Sequence, residues 1–283
     1  MSTRSATTNA TDELAAVRAL YLDVMKKSLM GLLAAEPYRI LELSRKSRRG
    51  RVLLWVQRAL ASRNLTLVGR ARRRDEGHDW PADGYTMIGQ RRLDNIQLCI
   101  TELLRRNVPG DLIEAGVWRG GAAIFMRAVL KAYNSVDRNI WVADSFQGLP
   151  VANAAAYPAD AGSGFWAFPQ LAVSLENVKA NFERFGLLDE HVRFLPGWFK
   201  DTLPEAPIER LALLRIDADM FESTMDALRS LYPKLSRGGY VIVDDYGFID
   251  ACKKAVDEFR ADRGIREPVE RIDDTGIFWQ RGE

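Results

Sequence analysis

The sequence predicts an α/β fold with a doubly wound, mostly parallel sheet and helices on both faces. From residue 111 onward, short apolar runs alternate with amphipathic helical stretches, which is the pattern of such a sheet. The last two apolar runs are separated only by residues 273–276, and this hairpin signal predicts an antiparallel edge strand. The part before residue 80 lacks the alternation and is interpreted as an N-terminal helical extension.

The predicted elements follow from apolar spacing and from turn residues. Predicted helices cover 12–35, 88–106, 121–133, 169–185, 222–235 and 249–262, and Thr11 or Asp12 is the expected cap of the first. Predicted strands cover 111–117, 140–144, 192–195, 211–216, 240–243, 269–272 and 277–280. A turn cluster at 80–84 places the boundary between an extension, 1–80, and a main domain, 81–283.

Composition excludes several classes of protein. The chain has 283 residues, of which 47% are apolar and 28% charged, as in an ordinary globular protein. No apolar run approaches the ~18 residues of a membrane span, and the polar start predicts no secretory signal. Two distant cysteines, Cys99 and Cys252, favour a reducing, cytoplasmic location. With only two histidines, catalysis is expected to depend on carboxylates or a cofactor.

Charge is unevenly distributed along the chain. Residues 39–74 contain 12 Arg and Lys against one acid, so this basic stretch carries +11 and the rest of the chain carries −9. An arm that binds nucleic acid through these arginines and Trp55 is one interpretation. Leucine-rich pieces interleave with the charges, which favours a solvated helical face or packing on the acidic domain of a second subunit. We therefore expect a homo-oligomer, a dimer or higher, and no nucleic acid partner.

The first strand of the main domain ends in a glycine-rich turn that contains Glu114, Gly116, Gly120 and Gly121. Ligands of open parallel sheets bind beyond the carboxyl ends of the strands, and glycine lets the backbone approach them closely. The spacing differs from G-x-G-x-x-G, and an acid begins the motif, which favours a cationic ligand without a pyrophosphate. A plain strand-to-helix turn is the alternative.

The second strand ends in Asp144 and Ser145, 30 residues after Glu114. An acid at this point can accept hydrogen bonds from both ribose hydroxyls of an adenosine. An isolated aspartate at a strand end is often only a helix cap. Combined with the glycine-rich turn, Asp144 predicts an adenosine cofactor.

Four aspartates follow two later strands that one crossover helix separates. Asp217 and Asp219 follow strand 211–216, and Asp244 and Asp245 follow strand 240–243. Carboxylates that converge there would repel one another unless a cation joined them, and Mg²⁺ prefers such oxygen ligands. The spacing suits Asp217, Asp244 and Asp245 as ligands and leaves Asp219 as a base. The alternative is that all four acids cap helices.

Several motifs in the right order resemble the macrocin O-methyltransferase (TylF-type) family. They begin at Tyr21, Thr86, Arg92, Asp111, Trp141, Pro196, Arg215 and Val243. The resemblance implies a class I methyltransferase-like, Rossmann-like fold that uses S-adenosylmethionine and Mg²⁺ to methylate a sugar hydroxyl of an antibiotic or other glycosylated natural product.

By resemblance, Asp217, Asp244 and Asp245 match the metal ligands and Asp219 matches the catalytic base. The expected cofactor-binding residues are Glu114, Gly116, Gly120, Asp144, Ser145, Gly197, Trp198 and Phe199. A non-sugar hydroxyl is the alternative acceptor. A nicotinamide-dependent oxidoreductase is a further alternative, although G-x-G-x-x-G and Tyr-x-x-x-Lys are missing. The aromatic-rich loop 148–168 is either a lid that excludes water or a surface loop.

Overall fold

The computed structural model describes residues 3–33, 38–41, 48–63, 65–70 and 74–282. Its helices are α1 (Thr3–Leu29), α2 (Arg48–Ala61), α3 (Gln90–Arg105), α4 (Gly121–Ala132), α5 (Leu175–Arg184), α6 (Phe199–Thr202), α7 (Phe221–Leu231) and α8 (Asp250–Asp262). Its strands are β1 (Tyr38–Ile40), β2 (Val68–Arg70), β3 (Asp111–Ala115), β4 (Ile140–Asp144), β5 (Val192–Pro196), β6 (Leu211–Ile216), β7 (Leu235–Val243), β8 (Glu270–Arg271) and β9 (Ile277–Gln280).

A seven-stranded sheet has the order β5-β4-β3-β6-β7-β9-β8. The five strands from β5 to β7 are parallel, and β9 pairs with β7 in the antiparallel direction. The short strand β8 forms an antiparallel hairpin with β9. This confirms the predicted doubly wound, mostly parallel sheet and its antiparallel edge. The carboxyl ends of β3, β4, β6 and β7 lie along one edge.

The two faces of the sheet bury separate apolar clusters. Helices α1, α3, α4 and α5 cover one face through residues such as Leu22, Ile96 and Phe125. Helices α7 and α8 cover the other through residues such as Leu228 and Phe259. Because α1 packs into the same cluster as the sheet, the extension is attached to the main domain by buried contacts. Among the described residues, no helix is both long and apolar enough to cross a membrane.

The N-terminal part differs from the prediction. The first helix begins at Thr3, so Asp12 lies inside it and caps nothing, and it ends at Leu29 rather than at residue 35. It stops there because Gly31 adopts a left-handed conformation with φ 74° and its amide bonds to the Ser28 carbonyl. Residues 34–37, the end of the predicted helix, lie outside the described residues. In the basic stretch, β1 and β2 pair in antiparallel fashion, which apolar spacing did not predict.

The predicted helix 169–185 is shorter in the structure. Its first part, Pro169–Leu171, is a single 3-10 turn, and α5 begins only at Leu175. Ser174 sets this start because its side chain accepts a hydrogen bond from the Asn177 amide. The segment 149–173 is therefore one long irregular connection between β4 and α5.

Candidate active site

An open cleft of about 640 Å³ lies at the carboxyl ends of the parallel strands. Its position is the one that ligands take in doubly wound sheets. Seven of the predicted site residues line it, namely Gly116, Asp144, Ser145, Trp198, Phe199, Asp217 and Asp219. The remaining wall includes Met87, Trp118, Leu149 and Leu171.

The turns that follow four neighbouring strands all contain a left-handed residue. Trp118 after β3, Phe146 after β4 and Asp219 after β6 have φ values of 48°, 57° and 56°, and Gly197 after β5 has φ 134°. Such conformations are uncommon for residues with a side chain and are concentrated at functional sites. The strands therefore end in sharp turns, and two of these residues, Trp118 and Asp219, line the cleft.

Gly116 is required by a close approach of two backbones. It has φ 88°, its amide donates to the Ala143 carbonyl at 2.9 Å, and an added Cβ would lie 1.8 Å from the Asp217 carbonyl oxygen. Any side chain would separate β3 from β6. Gly120 is different, because it begins α4 with φ 85° and lies outside the cleft lining.

Asp144 is held rigidly at the end of β4. Its two carboxylate oxygens accept hydrogen bonds from the amides of Val117 and Phe146, each at 2.8 Å. Burial raises the pKa of Asp144, and these amide bonds oppose that shift. The neighbouring Ser145 hydroxyl donates to the Gly148 carbonyl at 2.7 Å. Gly197, outside the cleft lining, supports the same turn because its amide donates to the Asp144 carbonyl at 2.9 Å.

The predicted acidic cluster is present at the ends of β6 and β7. One carboxylate oxygen from each of Asp217, Asp244 and Asp245 lies within 4.8 Å of the others. Oδ2 of Asp245 is buried and has no hydrogen-bond partner among the described residues. Carboxylate oxygens at such separations are a donor set that a hard divalent cation prefers. The three residues fit a metal site.

Negative charge accumulates at this cluster. Burial, together with the charge of Asp244, raises the pKa of Asp217 to about 6. Burial and the charges of Asp217 and Asp244 raise the pKa of Asp219 to about 8, and burial likewise raises the pKa of Asp245. A bound cation would favour the ionised forms of these groups.

Two buried arginines partly neutralise the cluster, and neither was predicted from the sequence to be a site residue. Arg215 contacts Glu114 Oε1 at 2.5 Å, Asp217 Oδ2 at 3.0 Å and Asp244 Oδ1 at 2.6 Å. Glu114 is therefore paired behind the cleft and does not line it. An arginine inside the apolar run Leu211–Ile216 was a usable signal, since a buried arginine requires acidic partners. The second arginine is Arg92, which contacts Asp244 from α3.

The four aspartates that follow β6 and β7 do not cap the helices that come after them. They are Asp217, Asp219, Asp244 and Asp245. The first amides of α7, at Phe221 and Glu222, donate to the carboxylate of Asp160 at 2.7 and 3.0 Å. Residue Ile249 precedes α8 and supplies no side-chain cap. The capping interpretation is therefore wrong for α7 and α8. Asp160 belongs to the loop 148–168, and its capping role was not predicted from the sequence.

The connection 149–173 covers one side of the cleft and is anchored at several points. Besides Asp160, the Trp118 indole donates to the Gln170 carbonyl at 2.8 Å. Phe168 packs edge-to-face on Trp80, with ring centroids 5.3 Å apart. Leu149 and Leu171 from the two ends of the connection line the cleft itself. The connection is thus part of the site wall.

The fold is that of a class I O-methyltransferase. The family model described as Macrocin-O-methyltransferase (TylF) matches residues 18–281, and the chain belongs to this family. Family membership confirms the resemblance and identifies an O-methyltransferase rather than a nicotinamide-dependent oxidoreductase.

Relatives with curated names are antibiotic-pathway O-methyltransferases. The 8-demethyl-8-(2,3-dimethoxy-alpha-L-rhamnosyl)-tetracenomycin-C 4'-O-methyltransferase of Streptomyces olivaceus is 48% identical over 93% of each chain. The Mycinamicin III 3''-O-methyltransferase of Micromonospora griseorubida is 52% identical over 74% of this chain and 83% of that protein. The solved structure of the O-methyltransferase NovP is 48% identical, with a TM-score of 0.80 over 94% of this chain and 100% of that chain.

Proposed function

We propose that the protein transfers a methyl group from S-adenosylmethionine to a sugar hydroxyl of a glycosylated natural product, with the help of a divalent cation such as Mg²⁺. The observation that carries the proposal is the junction of two sites in one cleft. Gly116 and Asp144 line the cleft, and so does Asp217, whose carboxylate belongs to the acidic cluster with Asp244 and Asp245 just outside the lining.

The first site fits the methyl donor. S-adenosylmethionine supplies a methyl group on a positively charged sulfur. We assign the ribose to Asp144, because this carboxylate is fixed by two amides and faces the cleft. Trp198 and Phe199 provide an apolar surface for the adenine, and Gly116 leaves the backbone accessible beside it. Ser145 and Gly197 support these turns, Gly120 starts the adjoining helix, and Glu114 acts from behind through Arg215.

The second site fits the cation and the acceptor. Asp217, Asp244 and Asp245 would hold Mg²⁺, which lowers the pKa of a hydroxyl that binds beside it. Asp219 lines the cleft next to them and is the proposed general base that takes the hydroxyl proton. The wall formed by Leu149 and Leu171 would exclude water from the reacting groups.

The choice of a sugar hydroxyl is supported by the relatives. The names of two of them specify methyl transfer to a 4' or a 3'' oxygen, and one of these names includes a rhamnosyl group. Sequence identities of 48% and 52% with these two relatives support the same class of acceptor for the present protein.

The experiment is a screen of glycosylated natural products with labelled methyl donor, in excess EDTA and after Mg²⁺ is restored. We expect label on a sugar hydroxyl only when Mg²⁺ is present. Asp245→Asn should abolish the Mg²⁺ response, because it alters a ligand whose oxygen has no other described partner. Asp250→Asn, at an exposed position of α8, is the matched control. Full turnover in EDTA would refute the metal, and label on the aglycone would refute the acceptor.

We also propose a homodimer that pairs through α1. One stripe of this helix is apolar and yet exposed. It consists of Leu14, Val17, Tyr21 and Val24. These residues repeat at intervals of three and four, which is the spacing of residues that pair two helices. The adjoining stripe of the helix, with Leu22, Met25 and Leu29, packs on the core. The two buried free thiols, Cys99 and Cys252, fit the proposed reducing, cytoplasmic location.

A further inference from the structure

The motif that begins at Arg92 occupies the first turns of α3, outside the cleft lining. Asp94 of this motif forms an ion pair with Lys26 of α1, with 2.5 Å between oxygen and nitrogen. Arg92 points the other way and is 6% exposed. A buried arginine at this place requires an explanation, because its charge is costly to bury unless its partners are well placed.

Arg92 joins three segments that are distant in sequence. Its Nη1 donates to Oδ2 of Asp244 at the end of β7. Its Nε lies 3.0 Å from Oδ2 of Asp273, in the turn between β8 and β9. Its Nη2 donates to the Gly77 carbonyl at 2.9 Å. Two hydrogen bonds and the ion pair with Asp273 therefore hold the guanidinium group in place.

Asp244 is consequently held by two arginines. One carboxylate oxygen accepts from Arg92 and the other accepts from Arg215 at 2.6 Å. Arg215 comes from within the sheet and Arg92 from the helix that covers it. A carboxylate that is gripped through both oxygens cannot rotate about its terminal bond without losing a charged hydrogen bond.

Asp273, the second carboxylate that Arg92 contacts, is also held firmly in place. Oδ1 of Asp273 accepts from the amides of Thr275 and Gly276 at 3.0 and 2.7 Å. The same turn accepts a hydrogen bond from the Gly247 amide at 2.7 Å, and a Cβ at Gly247 would lie 2.0 Å from the Asp274 carbonyl oxygen. The β8–β9 turn is thus packed directly against the segment that follows Asp245.

We propose that Arg92 is a positioning residue that orients Asp244 for the divalent cation and transmits the rigidity of the β8–β9 turn to it. This inference rests on the proposed metal site. Partners that orient a metal ligand typically contribute about 10- to 100-fold in metal affinity. A positioning role is distinguishable from a purely electrostatic one, because a positive charge near the site repels a cation and its removal alone would strengthen binding.

The test measures Mn²⁺ binding by electron paramagnetic resonance on the full chain without acceptor, so that the readout is independent of turnover. Arg92→Lys keeps the positive charge and loses the fork that reaches Asp244 and Asp273 together. We expect it to weaken Mn²⁺ binding by about 10- to 100-fold. Asp273→Asn, which leaves Arg92 in place without its anchor, should weaken binding in the same direction by a smaller factor.

The control is Arg127→Lys, which alters another buried arginine that pairs with Asp189 at 2.7 Å, outside the acidic cluster. It should lower the melting temperature and leave Mn²⁺ affinity unchanged. Wild-type affinity in a folded Arg92→Lys variant would overturn the positioning role alone. If Arg92→Lys fails to fold, wild-type affinity in Asp273→Asn would overturn it. Lack of Mn²⁺ binding by the wild type would overturn both the metal site and this inference.

Discussion

Asp219 offers the sharpest test of the proposed chemistry, because the capping role that competed with it belongs to Asp160 instead. Asp219→Asn should lower the turnover number by about 10²- to 10⁴-fold, the usual contribution of a general base. The melting temperature should stay the same or rise, since the amide removes a carboxylate that Asp217 and Asp244 repel. Single-turnover rates and thermal unfolding of the same preparation measure both effects.

The matched control for this variant is Asp226→Asn on α7. Asp226 is also partly buried, and burial raises its pKa to about 6, but it lies outside the cleft lining. Its turnover should remain within a few-fold of the wild type. Near-normal turnover in Asp219→Asn would place the base elsewhere in the cleft.

Asp144 is predicted to determine donor affinity rather than the chemical step. Asp144→Ala should weaken S-adenosylmethionine binding by about 1.5–3 kcal/mol, the value of a hydrogen bond to a charged group. Asp144→Asn keeps one oxygen that can accept from the turn amides and should weaken binding less. Isothermal titration with S-adenosylhomocysteine supplies the dissociation constants, and an unchanged constant in the alanine variant would contradict the ribose assignment.

Single residues also show which parts of the site could be predicted from sequence. The positions of Asp217 and Asp244 follow from strand ends alone, because parallel strands present their carboxyl ends at one edge. The role of Arg92 does not follow, since Asp244 lies 152 residues further along and only the packed structure brings them together. The same holds for Asp160, whose partners at the start of α7 are 61 and 62 residues away.

Helix α7 and the connection 149–173 are coupled through one carboxylate, and this coupling can be tested. Asp160→Ala should destabilise the protein by about 1 kcal/mol through the lost cap. It should also increase proteolytic cleavage within 149–173, because the connection loses a buried anchor. Ser174→Ala, which removes the cap of α5, is the control with a similar cost and an intact anchor. Equal cleavage in both variants would contradict the coupling.

Secondary structure was predictable where the apolar pattern is continuous. The strands β3, β4 and β6 lie where their apolar runs predict them, since each is buried on both faces, although β3 ends at Ala115 rather than at residue 117. The end of α1 and the start of α5 were not predictable, because the apolar spacing continues through the residues that set them. Gly31 ends α1, and Ser174 caps the start of α5. The pairing of β1 with β2 was missed because each has only three residues.

The whole molecule is expected to dimerise through the exposed stripe of α1. A double variant, Val17→Glu on that stripe with Leu20→Glu beside it, introduces like charges there and should convert the dimer to a monomer. Both side chains are more than 60% exposed, so the fold of the monomer should survive. Analytical ultracentrifugation of each protein gives the mass.

Leu98→Glu is the control for the dimer, because Leu98 is 52% exposed on α3, away from the stripe. It should leave the mass unchanged. A monomeric wild type would contradict the proposed dimer. A double variant that remains dimeric would place the contact elsewhere.

The division of the chain at residue 80 stays a prediction.

The left-handed backbone at Asp219 restricts what evolution or an engineer can put there. For residues with a side chain this conformation costs roughly 1–2 kcal/mol, and asparagine, aspartate and glycine tolerate it best. In a saturation library at position 219, folding would therefore depend on whether the new residue tolerates the left-handed conformation. Activity would depend separately on whether it can act as a base. Relatives that lose the carboxylate should drift first to asparagine or glycine, leaving a binding protein that keeps its shape. Replacement by valine or isoleucine should instead disturb the turn after β6 and, with it, the neighbouring Asp217.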